Sequence, residues 1–599
     1  AGIYGVRAAN GVILVTTKSG RKNSGFKSTL NMYTGFQQTT RKIPLLNATE
    51  YALLANEAFG ANGESLPFTN ITSLGQGTNW QDEVFQTAQI SSIDYTVTKG
   101  TEKSAYSFGL SLLDQDGIVG GDKANFNRIN TRFNFDTDLT DNLKFTSSTI
   151  YTNTNKKNLI ENALGSILFN ALNMPSTSPV YDSEGNFSLP PAIGTGIEVA
   201  NPLAQIDNAH NRTWVNKISG SYGLKYDFLD YFSAETRFQA NFANSTSNTY
   251  NKVANFGNNN VFNIDLGTFT DFSQNFFDYT FDAFINYERV YNDVHSVKAM
   301  LGTSVFKTTG RFQTILTSNA SGEDLNDVLI GTPVLNGDGL EIFRNNNNGD
   351  NLVYDSRLLS YFTRIQYAYD GKYLLSAVLR RDGSTNFGPK NKFGFFPTAS
   401  VGWIASEEDF LQNSNAISFL KLRASYGIIG NDRIPGFRFV SVLNGEAEYV
   451  FDNQLAQGIA LGPVANPEIK WEEQKPLDIG VDLELFDKVN ITMDYFKKTT
   501  EDLLVSPQVS GLLGTGAAPV VNAGVVENTG IEFAIGYSDN LSDDFKFSIK
   551  YNVTAIGNAL VDYEYKVSEA FFNEHKIEKG VMTLVEEDRQ KELFTALGS

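Results

Sequence analysis

No cysteine occurs among the 599 residues, which excludes disulfide scaffolds, thiolate metal sites and thiol nucleophiles together. Histidine is nearly as scarce. His210, His295 and His575 are the only three, and they stand far apart. No HExxH zinc helix and no GxSxG nucleophile elbow is present. The acids Glu407, Glu408 and Asp409 are consecutive, too close in sequence to flank one scissile bond, and read as a turn or helix start. The chain is therefore expected not to be an enzyme. Apolar runs such as Val12 to Val15 fall far short of the roughly 20 residues of a membrane helix. No charged segment followed by an apolar stretch opens the chain as a signal peptide would. Basic charge is the minority sign, with 48 Lys+Arg against 67 Asp+Glu and a net charge of −19. Without a Lys/Arg block to displace phosphate counterions, nucleic acid is excluded as a partner.

What is abundant is aromatic: 45 Phe and 26 Tyr against 4 Trp, together with 51 Gly. Phe and Tyr suit half-buried strands and the girdles where a barrel meets the membrane interface. The dominant pattern has a period of two. Tyr106, Phe108, Leu110 and Leu112 alternate with Ser107, Gly109 and Ser111, and Ile129 to Phe135 repeat the alternation. So do Phe232 to Phe242, Phe277 to Tyr287, Leu477 to Leu485, Val489 to Tyr495 and Phe545 to Val553. Successive side chains of a strand point to opposite faces, so each segment has one apolar and one polar face.

Many of these segments run about 9–11 residues, the length of a tilted membrane strand, whereas strands of soluble sandwiches are about 5–6. Their connections alternate as well. Short turns fall at Thr140-Asp141-Asn142, Asp227 to Tyr231, Asp370-Gly371 and Phe486-Asp487-Lys488. Long insertions occupy 37–91, 153–213, 243–275, 307–356, 429–474 and 498–527. Tight turns at one rim and extended loops at the other are the rhythm of an outer-membrane barrel. The pattern predicts an all-β fold, an antiparallel transmembrane β-barrel, with roughly seventeen strands between Phe26 and Ile556. Ser568 to Leu597 changes to a charged, looser spacing, so 557–599 reads as a helical or disordered tail at the outer rim.

Seven ordered blocks carry a family resemblance: AGIYGVRAANGVILVTTKSG (1–20), NWQDEVFQTAQ (79–89), GTEKSAYSFGLSLLDQDGI (100–118), YLLSAVLRRDGSTNFGPKNKFGFFPTASVGWIASEEDF (373–410), LKLRASYGIIGN (420–431), NPEIKWEEQKPLDIGVDLELFD (466–487) and NTGIEF (528–533). The sequence resembles SusC/RagA-type TonB-dependent outer-membrane transporters. The resemblance implies residence in the outer-membrane lipid and a plug domain, of which 1–22 would be the C-terminal end. It also implies 22 strands in the intact parent, so that 23–556 would be an unclosed part of the barrel. Import of an oligosaccharide or peptide is implied too, with a SusD-like surface lipoprotein as lid and a TonB-ExbB-ExbD complex as the energy source. The alternatives are a surface glycan-binding or adhesion barrel, or a sensing barrel without transport. Most of the plug and the closing strands would lie outside this sequence.

Within this frame, Gly5, Arg7, Ala8, Ala9, Asn10 and Gly11 are the plug signature, with Gly5 and Gly11 allowing tight turns and Ile13 to Val15 supplying a short buried strand. Arg380, Arg381 and Asp382 could line the lumen and bond cargo or plug, or form a structural ion pair. Trp80, Trp214, Trp403 and Trp471 could stack on sugar rings or anchor the barrel at the interface. The Asn-rich stretch Asn255 to Phe262 offers neutral hydrogen-bond groups suited to an uncharged polymer, whereas the net negative charge would repel polyanionic glycans unless local Arg or Lys overrides it. No cofactor is expected. The oxygen-rich loop Asp338 to Asp350 could hold a structural Ca²⁺ but lacks EF-hand spacing, and Gly514-Thr515-Gly516 lacks the rest of a phosphate loop.

Overall fold

A computed structural model describes residues 2–9, 11–14, 19–159, 163–190, 198–257, 260–329, 332–333, 335–336, 339–340, 353–434, 436, 438–441, 445–452, 454–460, 464–507, 518–540, 546–556 and 560–562. Asn10, Val15, most of the Asp338–Asp350 loop, Gly514 to Gly516 and the tail from 563 lie outside the described residues.

Seventeen long strands, each antiparallel to the next, form one wall. The first nine are β1 Lys27–Gln37, β2 Ala88–Gly100, β3 Ser104–Asp116, β4 Asn125–Asp138, β5 Leu143–Lys157, β6 Ala209–Phe228, β7 Phe232–Asn251, β8 Thr268–Tyr291 and β9 His295–Ser318. Then follow β10 Val353–Tyr369, β11 Tyr373–Ser384, β12 Phe393–Ile404, β13 Ile417–Gly427, β14 Glu472–Leu485, β15 Val489–Glu501, β16 Val525–Asn540 and β17 Lys546–Ile556. Ile429–Asn431 prolongs β13 beside Glu472 to Gln474, and Leu560–Asp562 prolongs β17 to the level of Val525 at the outer rim.

Register places the apolar parity on one face. Phe108 pairs with Phe133, and Phe281 pairs with both Phe238 and Val305. Phe108, Phe133, Phe238, Phe281, Ile285, Leu301 and Ile479 are all exposed. An apolar surface of this extent has no place on a soluble monomer, but it is the face that a barrel turns to lipid. The polar parity faces the lumen. At the inner rim the turns are short, and the strand ends lie flush, as His295 pairs with both Tyr291 and Tyr369, and Tyr373 pairs with Tyr369 and Trp403.

Two expectations need correction. β6 and β7 have 20 residues each, and β8 and β9 have 24, about twice the 9–11 that cross a bilayer. Much of the segments 243–275 and 307–356 is therefore ladder and not loop. Polar tracts such as Asn244 to Thr249 remain in strand because their neighbours continue to pair, Thr249 with Thr270 for example. Residues 11–14 form no strand, and Ile13 and Leu14 are 91% and 68% exposed. A buried strand needs a sheet to join, and none of the described strands pairs with them. As expected, the wall does not close. Among the described residues β1 pairs only with β2 and β17 only with β16.

Candidate functional site

Side-chain alternation assigns the first site. Arg380 and Asp382 are two residues apart on β11 and point into the lumen, whereas Arg381 between them points outward, with its guanidinium 4.7 Å from the Phe393 ring centre. Arg381 is thus corrected from the lumen to the lipid-side face. Arg380 Nε donates to both carboxylate oxygens of Asp382 at 2.8 Å. Nη2 donates to Ser360 Oγ and Nη1 to the Ile3 carbonyl, both at 2.8 Å. Arg380 is thus both members of the earlier choice: an ion-pair partner of Asp382 and a contact to the N-terminal segment. Asp382 is fully buried, so the pair sits where an isolated charge would be costly.

The N-terminal segment is shaped to meet it. Gly2–Tyr4 and Val6–Ala8 are single 3₁₀ turns joined at Gly5, whose φ is 77°. A Cβ on Gly5 would lie 2.5 Å from Arg380 Cζ, so glycine answers both the backbone angle and the close approach. The Arg7 guanidinium lies 3.8 Å from the Phe306 ring centre, and Lys498 Nζ donates to the Ala9 carbonyl at 3.2 Å. Ala8 is buried, and Val6 packs in one cluster with Leu358, Phe387, Phe396, Ile469, Trp471 and Val520. Gly11 donates its N–H to the Ala8 carbonyl, and a Cβ there would meet nothing. Just beyond the outer end of β13, Asp432 accepts from Ser384 Oγ at 2.7 Å. Burial pushes its carboxyl up, against the Ser384 hydrogen bond and the nearby charge of Arg7.

A second lumenal group escaped the sequence reading. Arg423 on β13 contacts Asp478 and Asp482 on β14 at 3.1 and 3.2 Å, and Asp494 on β15 at 2.6 Å. Gly480 sits between them, and a Cβ there would lie 2.2 Å from Asp494 Oδ1. The signal was available: all four charged residues lie on the polar parity of alternating strands.

The outer loops are folded in their own right. α1 Ala48–Ala61 starts with a capping box in which Asn47 and Glu50 exchange hydrogen bonds. α2 Trp80–Val84 lies in the same connection, and α3 Ile167–Asn173 and α4 Pro202–Asn208 lie in the one between β5 and β6, with Trp80, Val84, Val119, Ile167, Ala171 and Met174 forming a buried core. Trp80 is 2% exposed and donates Nε1–H to the Pro175 carbonyl, so the sugar-stacking role does not hold for it. Its ring is what the loop core is built around. Trp471 is likewise buried, 4.7 Å from the Phe387 ring. Trp403 donates to Glu408 Oε1 at 3.1 Å near the inner rim, and Trp214 lies under Arg212. Of the Asn255 to Phe262 stretch, the described amides at Asn255 and Asn260 are partly consumed within the loops. Asn255 Oδ1 accepts from Gly257 N–H, Asn260 Oδ1 from Phe262 N–H, and Asn260 Nδ2 donates to the Val199 carbonyl.

Residues 169–577 match the family described as TonB dependent receptor-like, beta-barrel. TonB-dependent receptor P26 of Formosa agariphila is 29% identical over 567 residues, covering 94% of this chain and 55% of that protein. TonB-dependent receptor SusC of Bacteroides thetaiotaomicron is 27% identical over 587 residues, covering 92% and 54%. The chain thus spans about half the length of the curated relatives it matches. Among solved structures, the RagAB peptide transporter is similar at a TM-score of 0.76 and 20% identity, covering 92% of this chain and 64% of that one. The RagAB peptide importer in its closed-closed state gives 0.78 and 19%, covering 94% and 64%.

Proposed function

Because this chain belongs to the TonB-dependent receptor β-barrel family, of SusC/RagA type and resident in the outer membrane, we propose that the whole protein imports a large nutrient through its barrel. Import would draw energy from a TonB-ExbB-ExbD complex and use a SusD-like lipoprotein as a lid. The observation that carries this reading is the N-terminal segment held on the lumenal wall by Arg380 and Lys498. A segment seated on a barrel wall by a few polar contacts and the packing of two small side chains, Val6 and Ala8, can block the lumen and still be displaced by an external pull. No step of bond making or breaking is involved.

Oligosaccharide is favoured over peptide. Neutral amides and hydroxyls occupy stretches of the lumenal face, with Thr213 bonded to Ser247 across β6 and β7 and Asn286 to Ser233 across β7 and β8. Such groups exchange readily with sugar hydroxyls. The peptide reading is supported by likeness in fold to the RagAB peptide transporter.

Growth of a deletion strain on single glycans and peptides decides between them. The expected outcome is loss of growth on a glycan, restored by the intact gene and abolished again when TonB is removed. Growth unchanged on every glycan and peptide, or cargo recovered cleaved by the purified protein, ends the import reading.

A further inference from the structure

We propose that Arg128 and Arg132 on β4 form a lumenal anion subsite that takes the acidic groups of an extended oligosaccharide; this rests on the import reading and narrows its substrate class. The parity of β4 fixes the direction of both side chains. Ile129 and Phe133 are exposed on the lipid side, so Arg128, Asn130 and Arg132 project inward as a row. At about 3.3 Å per residue the two arginines are roughly 13 Å apart along the strand. They share a recess with Thr96, Ser111 and Thr152. Gly109 faces Arg132, and a Cβ there would lie 3.3 Å from Nη2. The neighbouring strand leaves room for the guanidinium without filling it.

The Nε–H groups of both arginines are buried and lack a hydrogen-bond partner among the described residues. A buried guanidinium N–H left unpaired is costly, and the group that relieves it best is a carboxylate or sulfate, which accepts from Nε and Nη2 together. One carboxylate, Asp94, lines the same recess, and it accepts from Ser92 Oγ at 3.2 Å. Two other lumenal arginines are already matched: Arg380 by Asp382, and Arg423 by three aspartates.

The position favours cargo over the chain's own segments. Arg128 pairs with Leu113 and Thr154, three residues below the outer end of β4, close to the mouth. Residues 2–9 contact β9 to β15, on another part of the wall, and residues 20–24 reach β2 to β4 only at the inner rim, where Lys22 pairs with Asp138 ten residues along β4 from Arg128. Hydroxyls and an amide between two cations suit a polyol carrying spaced charges. The net charge of −19 does not forbid this. Exposed charges more than about 8 Å away are largely screened at physiological salt, so at contact the two arginines dominate.

The test is calorimetry on the whole transporter in detergent with hexagalacturonate, a sulfated oligogalactan, the carboxyl-reduced neutral form of the former, and oligoglutamate. At least one acidic glycan should bind, Arg128→Gln and Arg132→Gln should each weaken it about tenfold or more, and added salt should weaken it further. The neutral chain should bind wild type and variants alike. Three results overturn the proposal: no preference for either acidic glycan over the neutral chain, preference for oligoglutamate over both, or a double variant that loses heat stability while keeping the wild-type preference. The last would mean that the arginines hold other parts of the chain. Should one of these results overturn the subsite, a deletion strain that cannot use a glycan its parent uses still leaves the import reading standing. A deletion strain that grows like its parent on everything removes the import reading itself.

Discussion

At the scale of single residues, alternation within one strand decided what proximity in sequence could not. Arg380 and Arg381 are adjacent, yet one is buried in the lumen and the other lies on the outer face over Phe393. The Arg380→Ala substitution would strand the Asp382 carboxylate and cost about 3–5 kcal/mol. It would also free the Ile3 carbonyl. Tryptic cleavage after Arg7, resisted by the parent, should become rapid in the variant; unchanged protection would contradict the latch. Gly480→Ala tests the neighbouring cluster. The new Cβ would drive Asp494 off Arg423, and overpacking of this kind costs about 1–3 kcal/mol, read as a lower midpoint of urea unfolding in micelles. Near the inner rim, the Tyr373 hydroxyl and the Trp403 indole hold the Glu408 carboxyl below its usual range. A depressed acid keeps its contacts above the ordinary carboxylate pKa and loses them as pH falls through the lowered value. Fluorotryptophan NMR should therefore show the Trp403 resonance unmoved through neutral pH and titrating only in acid below the range of a free glutamate.

At the scale of elements, strands were legible and loops were not. Period two survives in Phe232 to Phe242 because each strand meets lipid on one side and water on the other, a contrast written directly into the residues. The ends of β8 and β9 carry no such contrast once they leave the bilayer, so their length was hidden in polar text. Trp80 was misread for a related reason. A lone aromatic in an irregular segment gives no parity, and only the fold shows Val84, Ile167 and Ala171 gathered around it. Asn255 and Asn260 looked available because composition does not reveal which amides a turn consumes. Trp80→Ala should cost about 3–5 kcal/mol, confined to the loop unit. Hydrogen exchange should accelerate in α2 and α3 while β6 to β9 keep their protection. Equal acceleration in both would mean that the loops and wall unfold as one body.

At the scale of the molecule, seventeen strands were readable by counting alternating segments, and the one open edge on each of β1 and β17 goes with that number. Backbone groups at those two edges have no partner strand among the described residues, and in lipid each unsatisfied group is costly. Amide exchange in this 599-residue chain should be fastest at Leu30 to Tyr33 and Ile549 to Val553, and slowest in β7 and β8. A slow, symmetric pattern at both edges would mean that they have found each other.

The flush inner ends have a consequence for the opposite rim. β8 and β9 exceed β11 and β12 by 12 residues, 24 against 12. With about 3.4 Å per residue and a tilt near 45°, that difference is a step of roughly 30 Å. The strand wall is therefore cut on a slant, with a tall parapet over β6 to β9 and a low sill over β11 and β12. On the import reading proposed above, a long polymer lying along the cell surface would meet the sill first and slide in sideways without first standing on end, while the parapet would stop it from passing over.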